Sequence, residues 1–192
     1  MKIPTTLAAL VGAGFLAVVA GPASPALASA SCTTQGATIF GSAGDNVIVG
    51  TPGNDVIYAR GGDDTVFGGG GADIVYGGAG ADTVSGGACN DVIKTGPGSD
   101  TAEGNAGDDR VFGDDGDDEL WGGDGEDRLH GEAGDDRLWG GDQADWLFGE
   151  AGADRLWGGN GPDELFGGTQ FDRGNGQAGN DACSSVEIAV LC

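Results

Sequence analysis

The sequence is short of positive charge. Lys and Arg together number 8 against 31 Asp and Glu, for a formal net charge of -23 at pH 7. Nucleic acid and anionic lipid are bound by basic patches, so neither is an expected partner. A divalent cation is the natural counter-charge. Histidine is nearly absent, with His130 alone. There is no Cys/His cluster of the kind that holds zinc or copper. No GxSxG, no HExxH and no Cys/His pair marks a catalytic machinery, so the chain is read as a non-enzyme. Long apolar runs are also missing. Leu7 to Ala20 is the exception, and it is too short to span a bilayer comfortably.

Glycine is abundant, with 42 residues, and it is placed by rule. A nine-residue period runs without insertion or deletion from Gly41 to Ser184, sixteen consecutive units. The stretch Gly68 to Ser85 shows the grammar in two copies, GGGGADIVY and GGAGADTVS. Glycine opens the unit and returns at the fourth place, aspartate takes the sixth, and an apolar residue takes the eighth. The sixth-place residues are Asp55, Asp64, Asp73, Asp82, Asp91, Asp100, Asp109, Asp118, Asp127, Asp136, Asp145, Asp154, Asp163, Asp172 and Asp181, with Asn46 in the first unit. The fourth place departs from glycine at Cys89, Gln143 and Gln170. The eighth runs from Ile48 and Ile57 through Leu156 and Leu165, then weakens at Gly174 and Cys183.

These residue types suit a hard cation. Glycine at the first and fourth places allows positive φ, so the backbone can turn and bare its carbonyls. A carboxylate at fixed offset adds a charged oxygen. Carbonyl and carboxylate oxygens together suit calcium, whereas magnesium prefers a smaller octahedron that keeps its waters. The last three places of each unit read as a short strand. Alternation along a strand then turns the eighth residue inward and the seventh and ninth outward.

The repeat resembles the nonapeptide of the RTX, or haemolysin-type, calcium-binding proteins, over 144 of 192 residues. The resemblance implies an all-β fold, a right-handed parallel β-roll with two nonapeptides per turn. Sixteen units make about eight turns, a rod of roughly 38 Å at strand spacing. It also implies multiple Ca2+ ions held between loops two units apart, such as those of Asp109 and Asp127, with the fifteen aspartates as metal ligands. RTX repeats are often appended to enzymes, but here the repeats fill the chain.

Outside the repeats, residues 1–30 read as a secretory signal peptide, with Lys2, the apolar run and small-x-small sites at Ala26-Leu27-Ala28 and Ala28-Ser29-Ala30. The expected location is therefore secreted and extracellular, without membrane insertion. An N-terminal signal departs from the C-terminal signal of many RTX proteins, so their export route is not carried over. Residues 31–40 and 185–192 leave the pattern and are expected to cap the two ends of the roll. Four cysteines in an exported chain suggest disulfides. Cys183–Cys192 is the favoured pair. Cys32–Cys89 stays open, because three turns separate the two by about 14 Å at strand spacing.

With two units per turn, residues 18 apart stack. Trp121, Trp139 and Trp157 form one outward ladder beside Glu119, Arg137, Arg155 and Arg173. Phe112, His130, Phe148 and Phe166 form another. Two readings stand: same-face stabilisation of the sheet, or a surface for an extracellular glycan or protein partner, as in a calcium-dependent adhesin. The acidic pairs Asp108–Asp109, Asp117–Asp118 and Asp135–Asp136 recur every nine or eighteen residues, which fits loop ligands and solvated loop charge better than glycosidase acids. One inward apolar side chain per nine residues is a thin core for a chain this rich in glycine. Metal binding is expected to drive folding, with the weakest sites near Asn46, Cys89, Gln143 and Gln170.

Overall fold

A computed structural model describes residues 32–186 and 188–190. The expected signal peptide lies outside the described residues. Among those residues there are eighteen strands and no helix. They form two nine-stranded parallel sheets, one starting at Gln35–Phe40 and the other at Val47–Val49, and the chain alternates between them. Neighbouring strands within the repeats pair at an offset of 18 residues, as in Leu120↔Leu138 and Trp121↔Trp139, while the last pair, Arg173↔Ile188, lies outside that spacing. One turn is therefore two nonapeptides, and the chain is an all-β parallel solenoid of about eight turns.

Most strands are longer than the three residues expected. Glu119–Asp124 is typical: it begins at the seventh place and continues through the third place of the next unit. The ladder persists across the glycines because each N–H still meets a carbonyl one turn away, as from Gly113 to His130 at 2.9 Å. The bend is left to the fourth to sixth places alone.

The inward face alternates two kinds of residue. Eighth-place side chains, Ile48 to Leu165, make one continuous apolar column. First-place residues also point inward and are mostly glycine, which lets the two sheets approach. At Gly174 the apolar column has a gap. Val186 Cγ1, Cys183 Sγ and Leu165 Cδ2 come within 3.5 Å of the position a side chain would take there, so neighbouring groups fill it.

At the N-terminus, Gln35–Phe40 pairs with Asn54–Gly61 and sets Ile39 opposite Ile57. The Cys32–Cys89 disulfide is formed, with Cα atoms 5.7 Å apart. The Asn54 N–H bonds the Thr34 carbonyl at 2.8 Å, which holds Thr34 near the start of the stack. To reach Cys89 from the level of Thr34, Cys32 and Thr33 run along the roll and not around it. Cys183 is also disulfide-bonded; its expected partner, Cys192, lies outside the described residues. At the other end Ile188–Val190 pairs with Arg173–Ala178.

Candidate metal centre

The sixth-place aspartates are brought into two columns, one along each edge where the chain passes between sheets. Each carboxylate takes a backbone N–H from its counterpart one turn earlier. Asp91 N–H donates to Asp109 Oδ1 at 2.7 Å, Asp109 to Asp127 at 2.8 Å and Asp127 to Asp145 at 2.9 Å. The other edge runs from Asn46, whose N–H reaches Asp64 Oδ1 at 2.7 Å, through Asp82 and Asp100 to Asp172. This ladder fixes one oxygen of each carboxylate. It also explains why the place is Asp: the side chain is short enough to bond its own column.

The other oxygen is unused. From Asp64 to Asp172, thirteen Oδ2 atoms are buried with no hydrogen-bond partner. Such orphans are costly and uncommon in native proteins. Of the fifteen predicted aspartates, the two exceptions stand at the start and end of one column. Asp55 Oδ2 takes the Thr51 hydroxyl at 3.0 Å, and Asp181 is only half-buried.

Eleven of the orphan oxygens, all but those of Asp64 and Asp100, point to the space over the first-place glycine of their own unit. A Cβ built on Gly77 would lie 2.6 Å from Asp82 Oδ2 and 2.5 Å from the Thr95 carbonyl one turn on. The same pair of atoms crowds Gly122, Gly140 and Gly158. A carboxylate oxygen and a carbonyl oxygen thus converge where a side chain is missing. This revises the expected role of the first glycine. Positive φ is found at the second and fourth places, as at Gly123 (φ 119°) and Gly125 (φ 145°), and none of the first-place residues adopts it. The first glycine is kept for room.

Two first-place residues depart from glycine, Ala59 and Thr95, and both are fully buried. Thr95 was missed as a functional residue, although its break from the pattern was visible. Its hydroxyl donates to the Gly113 carbonyl at 2.8 Å and so fills the space that other levels leave open. At the fourth place, Cys89, Gln143 and Gln170 take the glycine conformation, with φ between 81° and 85°. These loops keep their shape at the strain of a left-handed non-glycine residue.

Burial dominates the electrostatics. It pushes the carboxyls of Asp64, Asp73 and Asp127 up to about 6, Asp109 and Asp118 to about 7, and Asp91 and Asp145 to about 8. The backbone N–H to each Oδ1 pulls the other way without prevailing, and for most of them neighbouring carboxylates add to the rise. Without a counter-cation these groups resist the charge that neutral pH demands.

The fifth place also has a use beyond solvated charge. Asp108 Oδ1 accepts the Glu126 N–H at 3.1 Å, and Asp117 Oδ1 accepts the Asp135 N–H at 2.9 Å, both one turn later. In the pair Asp108–Asp109 the first carboxylate therefore bonds forward along the axis and the second bonds backward.

The outward ladders form as expected. Trp121, Trp139 and Trp157 stack at 4.6 and 4.7 Å, within 4° of parallel. His130 is a rung between Phe112 and Phe148. Arg137 pairs with Glu119, while the Arg–Trp stack that forms is Arg128 on Trp146, at 4.6 Å.

A family described as the RTX calcium-binding nonapeptide repeat (4 copies) matches in overlapping segments from 40–75 to 139–174, which together span well over half of the 192 residues. The chain belongs to the RTX calcium-binding repeat family. It is a calcium-binding repeat protein built as a β-solenoid. The donor set fits that cation: buried carboxylate oxygens without partners, facing carbonyls, in a space shaped by glycine. No curated protein matches the chain.

Proposed function

We propose that this RTX chain is a secreted, extracellular module whose Gly/Asp loops bind stacked calcium ions and which folds when they bind. The observation that carries this reading is the row of thirteen buried, unbonded Oδ2 atoms. Asp64 through Asp172 would supply these oxygens, and first-place carbonyls such as that of Gly140 would face them. Asp55, Asp181 and Asp100, whose space is filled by Thr95, would be the weakest of the fifteen ligands. The Asp-to-Asp hydrogen bonds hold each carboxylate in place and aim its second oxygen inward. Bound calcium would neutralise the column and join successive turns. Residues 1–30 would be the export signal, 31–40 and 185–192 the caps, and 41–184 the calcium-binding roll.

Titration calorimetry of residues 32–192 tests this. Calcium is expected to bind at several sites per chain at about 0.1–1 mM, the range of extracellular modules, and magnesium to give little heat. Equal heats for both ions, or none, would overturn the assignment.

Docking of a glycan or protein on Trp121, Trp139 and Trp157 has less support. In the ladder each inner ring face is covered by its neighbour, so a sugar would meet indole edges. Loss of glycan-array binding in Trp139→Ala would restore that reading.

A further inference from the structure

One cluster of potential ligands lies apart from the Asp columns. His130 stands at the ninth place of its unit, and Glu132 and Glu150 stand at second places one turn apart on the same sheet. All three side chains are outward and half-buried. One ligand atom from each lies within 4.8 Å of the others. His130 Nδ1 is 2.9 Å from Glu150 Oε1. The imidazole is held at a fixed height by stacking on Phe112 at 4.9 Å and Phe148 at 4.6 Å.

The carboxylates are crowded. Glu132 and Glu150 are register partners of one column with Asp114 below them, and all three hold left-handed φ of 67–75°. Burial and the charge of Glu150 both raise the Glu132 carboxyl above its usual range. Glu132, Glu150 and Asp114 also line an open depression beside Pro97. Like charges packed this closely, with no Lys or Arg lining that depression, leave an unbalanced negative site at the imidazole.

We propose that His130, Glu132 and Glu150 form a second cation site, separate from the calcium loops, that takes a borderline metal of the Zn2+ class. A neutral imidazole suits zinc and is a poor ligand for hard calcium. Tetrahedral zinc sets its ligand atoms about 3.4 Å apart, given bonds of about 2.0–2.2 Å, so side-chain shifts of about 1 Å bring the three atoms into range. Nδ1 coordinates and the ring proton resides on Nε2. The half-exposed face leaves the fourth position to water.

The test is a zinc titration of the calcium-saturated protein, monitored by competition with a chromophoric chelator, with His130→Phe and Glu132→Gln beside the wild type. Phe is the ladder's own residue at this place, so His130→Phe keeps the stack. The wild type is expected to take one zinc more tightly than His130→Phe by at least about tenfold, and Glu132→Gln to be weakened as well. Equal affinity and stoichiometry in wild type and His130→Phe would overturn the proposal, since zinc would then sit only on the calcium loops. A second readout needs no variant. The chain has one histidine, and one equivalent of zinc must shift its ring NMR signals; unshifted signals would also overturn it.

Discussion

Replacing Asp127 with Asn should move stability in opposite directions with and without calcium. Asp127 is fully buried. Its Oδ1 takes the Asp109 N–H at 2.8 Å and its own N–H reaches Asp145 at 2.9 Å. Asn keeps both bonds and changes only the orphan Oδ2 into an NH2 group, which faces the Gly140 carbonyl. The Asp127 carboxyl is raised from 3.8 to about 6, by burial first. Above that value the charge is present and uncompensated when metal is absent. Two units correspond to about 3 kcal/mol, and screening beside the edge loops reduces this to about 1–2 kcal/mol. In chelator, Asp127→Asn should therefore fold more readily by that amount, read as a lower midpoint for folding induced by trimethylamine oxide at pH 7.5 and followed by circular dichroism. In calcium the variant lacks one charged ligand and should need more of the ion, with affinity at that level down by at least about tenfold. A shift of the same sign in both conditions would refute the reasoning, because Asp127 would then act only through its ladder hydrogen bonds.

Acidity should act in the same two-sided way. The raised carboxyls favour the metal-free roll below about pH 4, and that advantage is lost as pH rises through values of about 6–8. In chelator, the β signal in circular dichroism should therefore grow on acidification, while calcium affinity should rise with pH because the ligands must be ionised. Thr95→Gly should reopen the space beside Asp100 that the Thr95 hydroxyl now fills through Gly113; calorimetry is expected to find an added or tighter calcium, and an unchanged isotherm would contradict this role for Thr95. Leu147→Ala, in the middle of the apolar column, should cost about 2–5 kcal/mol of calcium-loaded stability, measured by urea unfolding.

The nine-residue period carried most of the architecture. A side chain that returns to the same environment every eighteen residues has to stack, so the Leu column, the Asp columns and the Trp ladder were all legible. The period was less informative about why each glycine is needed. The first and second places both select against Cβ, one because Asp82 Oδ2 and the Thr95 carbonyl crowd Gly77, the other because φ is positive. The exceptions tell them apart. The second place tolerates Arg60, Asn105, Glu132 and Gln177, whose side chains extend outward, while the first admits only Ala59 and Thr95. The fifth-place ladder was hidden because Asp108 and Asp117 look like surface charge until the next turn's N–H groups are seen above them. Cys32–Cys89 depended on the path of Cys32 and Thr33, which no repeat constrains.

The central claim is that cations bound at the orphan Asp oxygens supply the cohesion between turns. It is tested most directly by circular dichroism of residues 32–192 at neutral pH, first in excess chelator and then with calcium restored. The account predicts a disordered spectrum that converts to β on calcium addition. A full β spectrum in chelator, unchanged by calcium, would contradict it.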